Sequence, residues 1–181
     1  MASALLLLAE GFEETEAVTV IDVLRRADVE VTVAALSSSP VRGAHDISLV
    51  ADTTLAAVDG QRFDALVLPG GMPGAQHLRE DARVLELVQS FVAAEKLTAA
   101  LCAAPTVLEA AGVLAGRRAT GYPGHALPSA IYSEESVVED GPVVTSRGVG
   151  TALEFALTLV ARLAGREAAD THRARLLVPP G

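Results

Sequence analysis

Short uninterrupted apolar runs alternate along this chain with longer stretches of helical periodicity. Residues 4–9 (Ala-Leu-Leu-Leu-Leu-Ala) form a continuous apolar run closed by Glu10-Gly11, the pattern of a strand buried on both faces. In residues 14–27, Ala17, Val20, Ile21 and Leu24 fall at i, i+3, i+4 and i+7, which predicts an amphipathic helix. Residues 29–36 predict the next strand, 37–40 (Ser-Ser-Ser-Pro) a loop, and 41–50 short strands or a β-ribbon. Ala65–Leu68 reads as a strand broken by Pro69-Gly70-Gly71. Residues 74–78 and 84–94 predict helices, Leu97–Leu101 a short apolar strand, and 105–111 a helix with Pro105 in its first turn. Residues 137–139 and 142–145 flank Asp140-Gly141, a hairpin signal. Residues 151–164 predict a strongly apolar helix ended by Gly165, 166–173 a last short helix, and 176–181 a tail.

Strand, helix, strand in succession implies right-handed crossovers and an α/β fold, a mostly parallel sheet with helices on both faces. No linker or repeat divides the chain, so one domain spanning residues 1–181 is expected. Ligands in such sheets sit beyond the carboxyl ends of strands. Three predicted loops lie there: 10–14, 69–74 and 102–105.

Composition narrows the chemistry. Half the residues are hydrophobic, so a core can form without disulfides or metals. The net charge of −9 argues against a nucleic-acid backbone or an anionic membrane as partner. The single cysteine excludes an intramolecular disulfide and a multi-cysteine metal site. His45, His77, His125 and His172 are scattered without ligand spacing, and no metal is assigned. The run 4–9 is too short to span a bilayer and lacks a basic flank. With no targeting signal the cytoplasm is expected, where a lone thiol stays reduced.

That thiol, Cys102, follows a strand and precedes a helix, with small neighbours Ala103 and Ala104. Two readings fit it: a core cysteine, and a nucleophile at a sharp turn analogous to the serine elbow of α/β hydrolases. A helix N-terminus would favour the thiolate and offer N–H groups to an oxyanion. Glu16 falls on the apolar stripe of its helix with Val20 and Leu24. Burial there would raise its pKa and fit it to shuttle a proton; alternatively it snorkels to water. Glu13 and Glu14 have a plainer reading, as acids complementing the dipole of the first helical turn. Gly70 and Gly71 offer bare backbone to a substrate, or simply a tight loop. The Gly148-Val149-Gly150 stretch is more cheaply explained by capping and close packing than by phosphate binding.

The segments AEGFEETEAV, VLRRADVEVTVA, LPGGMPGAQHL, AALCAAPTVL and VVTSRGVGTALEFAL, in this order over nearly the whole chain, resemble the DJ-one branch of the ThiJ/PfpI superfamily. The resemblance implies a flavodoxin-like sandwich and a homodimer. It implies that Cys102 is the reactive cysteine, Glu16 its partner carboxylate, and Gly71 and Ala103 the backbone contacts to an oxyanion. It further implies glutathione-independent glyoxalase or deglycase activity on methylglyoxal, glyoxal and their adducts, with no cofactor. The alternative it implies is a redox-sensing or chaperone-like protective protein working through oxidation of Cys102. Peptidase and amidotransferase activities want a well-placed histidine that is not evident.

The chain departs from the family pattern in several places. In Thr120-Gly121-Tyr122-Pro123, Tyr122 stands where better-known members carry a histidine, leaving His125 as the other candidate for the pocket. His45 stands where an arginine contributed across the dimer is common. Ala104 replaces a usual glycine and Val149 a usual proline.

Overall fold

A computed structural model describes residues 1–179, so the predicted tail runs past the described residues at Pro180 and Gly181. The first half of the chain comprises β1 (Ser3–Leu8), α1 (Glu14–Arg26), β2 (Glu30–Ala35), β3 (Val41–Arg42), β4 (Ser48–Leu49), β5 (Thr53–Thr54), β6 (Ala65–Leu68), α2 (Gly74–Glu80) and α3 (Ala82–Ala93). The second half comprises β7 (Leu97–Leu101), α4 (Pro105–Ala110), β8 (Arg118–Ala119), β9 (Ile131–Tyr132), β10 (Val137–Asp140), β11 (Val143–Ser146), α5 (Ala152–Ala164) and α6 (Arg166–Arg175).

Seven strands form the main sheet in the order β10-β11-β7-β6-β1-β2-β5. All neighbours are parallel except the β10–β11 hairpin. Gly141 supplies the positive φ its turn needs. The inner order β2-β1-β6-β7-β11 is that of a flavodoxin-like doubly wound sheet, and it reverses between β1 and β6. The expected fold class is therefore observed.

The apolar runs are continuous because both faces of the sheet are covered. In β1, Ala4, Leu6 and Leu8 pack into one core with α1 and α5, while Leu5 and Leu7 enter the other core. Strand β6 divides in the same way, Ala65 and Val67 against Leu66 and Leu68. Burying each leucine contributes about 2 kcal/mol, so β1 and β6 anchor the sheet beneath the site.

Helix α1 begins where the Glu13 carboxylate accepts the Glu16 N–H at 2.6 Å, and α3 begins where Asp81 caps Arg83. The ribbon expected in 41–50 is the antiparallel pair β3–β4. Three strands were not predicted: β5, which adds to the sheet edge beside β2, and the parallel pair β8–β9. Each has two residues, too few to show a period of two. The strand predicted over 4–9 stops at Leu8, because Ala9 turns to accept the Phe12 N–H at 3.0 Å. Among the described residues no helix is long and apolar enough to cross a membrane.

Candidate active site

Three loops meet at the carboxyl ends of β1, β6 and β7, beside the point where strand order reverses. The loop after β7 carries Cys102 in the left-handed region, φ 60°. That conformation costs an L-residue roughly 1–2 kcal/mol and persists only where neighbours enforce it. Here the Cys102 N–H donates to the Ser146 carbonyl at 3.0 Å, and the Cys102 carbonyl accepts the Tyr122 N–H at 2.8 Å. The sulfur is thereby aimed out of the strand and is half-buried.

The loop after β6 fits against this turn because it lacks side chains. A Cβ on Gly70 would lie 2.5 Å from the Cys102 Cβ and 2.8 Å from Glu16 Oε2. Gly71 has φ 89°, and a Cβ there would lie 2.3 Å from the Glu13 nitrogen. Glycine is required at both positions, by contact at the first and by contact and dihedral at the second. The Glu13 N–H donates to the Gly70 carbonyl at 2.9 Å, which ties this loop to the start of α1.

Glu16 is fully buried, 0% exposed. Its Oε2 accepts the Gly70 N–H at 2.8 Å. Its Oε1 is enclosed without a well-formed hydrogen bond, and the side chain that approaches the carboxyl is the Cys102 thiol. Burial pushes the Glu16 carboxyl up to about 7, with the Gly70 N–H and the thiol opposing and Glu13 adding to the rise. Burial also pushes the Cys102 thiol up to about 12, reinforced by the negative charge of Glu16 and opposed by the N–H groups of Gly71 and Ala103. The groups are coupled: protonating Glu16 removes that charge and makes the carboxyl a donor to sulfur. Glu16, Cys102, Gly70, Gly71 and Ala103 thus lie together.

Burial and Glu16 outweigh the N–H support expected at a helix N-terminus. Helix α4 has only six residues, so the thiol's polar support is local, from the Gly71 and Ala103 N–H groups. Tyr122 stands beside the site: a Cβ built on Gly148 would lie 3.4 Å from Tyr122 Cδ2 and 3.9 Å from Cys102 Sγ. His125 packs edge-on against the Tyr122 ring with centroids 6.1 Å apart. Among the described residues no hydrogen bond joins His125 to Cys102, so neither residue makes a Cys–His dyad.

Glu14 is more than a dipole complement. It is buried, and Oε1 accepts the N–H of His45 at 2.6 Å while Oε2 meets its Nδ1 at 3.0 Å. Glu13, Glu14 and His45 each bring a ligand atom within 4.8 Å of the others. Both Glu14 oxygens are already engaged by the 43–47 loop, so the set is a hydrogen-bonded clamp fastening β3–β4 onto α1. The sequence missed this clamp and the position of Gly148, because both depend on contacts between segments far apart in the chain.

Comparison with known proteins accords with the geometry. The sequence pattern of the DJ-1/PfpI family matches residues 2–162. The chain belongs to the DJ-1/PfpI family. It falls in the DJ-1 branch, being 44% identical over 182 residues to protein dj-1beta of Drosophila melanogaster, with 97% of each chain covered. The crystal structure of Drosophila melanogaster DJ-1beta superposes with a TM-score of 0.95 at 42% identity, covering 99% of both chains. A Caenorhabditis elegans family member named glutathione-independent glyoxalase DJR-1.2 is 38% identical over 174 residues, covering 91% of this chain and 90% of that protein.

Proposed function

We propose that this chain is a cysteine-dependent, glutathione-independent glyoxalase that converts methylglyoxal or glyoxal, free or as adducts, to lactate or glycolate. The observation that carries the reading is the fully buried Glu16 carboxyl set against the Cys102 thiol. The name of the Caenorhabditis elegans relative supports it. A carboxyl near 7 accepts and returns protons at neutral pH, the property a shuttle needs.

The residues suit the following sequence. Glu16, ionised, takes the thiol proton as sulfur adds to the aldehyde carbon. The Gly71 and Ala103 N–H groups steady the alkoxide, which then receives that proton as the hemithioacetal forms. Glu16 next takes the proton from the former aldehyde carbon, giving an enediolate, and returns it to the neighbouring carbon while relaying the hydroxyl proton of the first carbon to the neighbouring oxygen. The product is a 2-hydroxyacyl thioester, which water hydrolyses to release the acid and the thiol. Glu16 carries each proton, so Tyr122 in place of an imidazole does not interrupt the scheme, and no metal or cofactor is called for.

The protein works as a homodimer in this reading. Val18, Ile47 and Val50 expose apolar surface on α1 and along the 47–50 segment, next to the half-buried Ile21 and Leu49, a face suited to a second copy. A cytoplasmic, reducing setting keeps the thiol available.

The test is incubation with methylglyoxal in the absence of glutathione, followed by proton NMR for lactate, with Cys102→Ser alongside. Lactate from the wild type alone is expected. No lactate from folded wild type would overturn the reading.

A second reading, redox sensing, is favoured by the same donors. Gly71, Ala103 and a protonated Glu16 would hold the oxygens of a sulfinate on Cys102. Graded peroxide followed by intact mass would then stop at two added oxygens; an unmodified thiol or direct passage to three would count against it.

A further inference from the structure

Helix α6 turns one face to the core, and a histidine sits in that face. Ala169, His172 and Leu176 fall at i, i+3 and i+7, the spacing of a buried stripe. Ala169 and Leu176 join the core that α6 shares with α1 and α5. His172 takes the slot between them and is 8% exposed. A buried imidazole carries at least one N–H and is ordinarily bonded to an internal partner. Among the described residues nothing bonds the His172 ring. The fully enclosed side-chain atoms without a partner are Glu16 Oε1 and Thr120 Oγ1, so the His172 nitrogens are unbonded yet still reachable from outside.

His172 lines a cavity of about 130 Å³ together with Arg175, Leu176 and Arg26, the last residue of α1. No carboxylate lines it. Arg26 is paired through Nε alone, to Asp22 at 2.7 Å, which leaves both of its Nη groups. The Arg175 guanidinium has no partner among the described residues. Basic side chains at a helix end usually serve the last carbonyls. Here backbone N–H groups do so: those of Ala27, Asp28 and Val29 close the end of α1, and those of Leu176, Leu177 and Val178 close the end of α6. The three basic side chains are thereby left as donors around one hollow.

We propose that this hollow binds a phosphate group. Guanidinium and imidazole N–H groups donate, and phosphate oxygens accept. Three donor-bearing side chains suit a tetrahedral anion better than a planar carboxylate, whose two oxygens a single arginine already pairs. The volume lies well below the roughly 300–1,000 Å³ of drug-sized sites, so it admits one phosphoryl group, free or at the end of an ester. Arg26 stands ten residues beyond Glu16 on α1, about 15 Å along the helix axis. The site is therefore separate from the thiol and independent of the glyoxalase reading.

The test is a heteronuclear NMR titration of the whole chain with sodium phosphate, chloride holding the ionic strength constant. Saturable amide shifts are expected at residues 26–28 and 172–177. Arg175→Gln changes an exposed side chain and should weaken binding at least about tenfold, the effect of losing a charged donor. His172→Phe keeps a ring in the slot without its nitrogens and should weaken binding at least about threefold. Arg166→Gln, at the other end of α6, alters net charge equally and should leave the affinity within about twofold. Acetate should bind at least about tenfold more weakly than phosphate. Glycerol phosphate titrated in parallel distinguishes the source: tighter binding than phosphate assigns the hollow to an esterified group, weaker binding to the free ion. Absence of saturable shifts at the hollow, equal binding of acetate, or equal losses in Arg175→Gln and Arg166→Gln overturns the site.

Discussion

Replacing Glu16 with glutamine should stabilise the protein above neutral pH while removing its activity. The wild-type carboxyl moves from 4.5 to about 7 on folding, because the folded chain encloses it completely. The folded state therefore binds this proton more tightly than the unfolded state. The resulting stability is fully present below pH 4.5 and is lost as pH rises through 7. At 1.36 kcal/mol per pH unit the loss is roughly 3 kcal/mol. Glutamine keeps an oxygen to accept the Gly70 N–H and has no charge to bury. Urea unfolding of both proteins at pH 5, 6, 7 and 8 should show the variant gaining on the wild type across the series. The gain should reach about 3 kcal/mol, or roughly 6–12 °C in Tm for a chain of this size. Parallel stability curves would mean that Glu16 does not titrate as a buried acid, and the shuttle assignment would fall with that result.

Three other perturbations probe the same architecture. Cys102→Gly should be more stable than Cys102→Ala by about 1 kcal/mol, since glycine relieves the positive φ; equal urea midpoints would show that the turn is unstrained. Gly70→Ala forces a methyl group against the Cys102 Cβ and Glu16 Oε2, so lactate production should fall at least about 100-fold with about 1–3 kcal/mol of lost stability; unaltered turnover would refute the tight packing of the two loops. Val50→Asp places a charge on a residue 81% exposed beside the apolar α1 face, so on the homodimer proposal sedimentation should show a dimer for the wild type and a monomer with unchanged circular dichroism for the variant; a wild-type monomer would refute that proposal.

Much of the fold is visible in local pattern. Strands β1, β6 and β7 are apolar throughout because both faces are covered, and a run such as Ala-Leu-Leu-Leu-Leu carries that information without its neighbours. Strands β5, β8 and β9 carry no such mark: Thr53 and Thr54 are strand only because β2 offers an unpaired edge. The site divides similarly. Cys102 is announced by its place between strand and helix, and Glu16 by a carboxylate on an apolar stripe. The burial of Glu14 against His45, 31 residues away, is set by the folding back of β3–β4 and leaves no trace in either segment. Gly148 read as a capping glycine, and Thr151 does bond its N–H. Its second property, facing sulfur, depends on β11 lying beside β7.

The gathering of every reactive loop at one rim of the sheet has a practical corollary. The chain has one lysine, Lys96. It immediately precedes β7, whose far end carries Cys102, and Met1 just precedes β1 on that same opposite rim. Lys96 is held by the Phe63 carbonyl at 2.9 Å and lies over the Phe91 ring. Lysine-directed coupling to a bead or sensor chip therefore tethers the molecule by its back, through Lys96. Such an immobilised layer presents the thiol outward on every molecule.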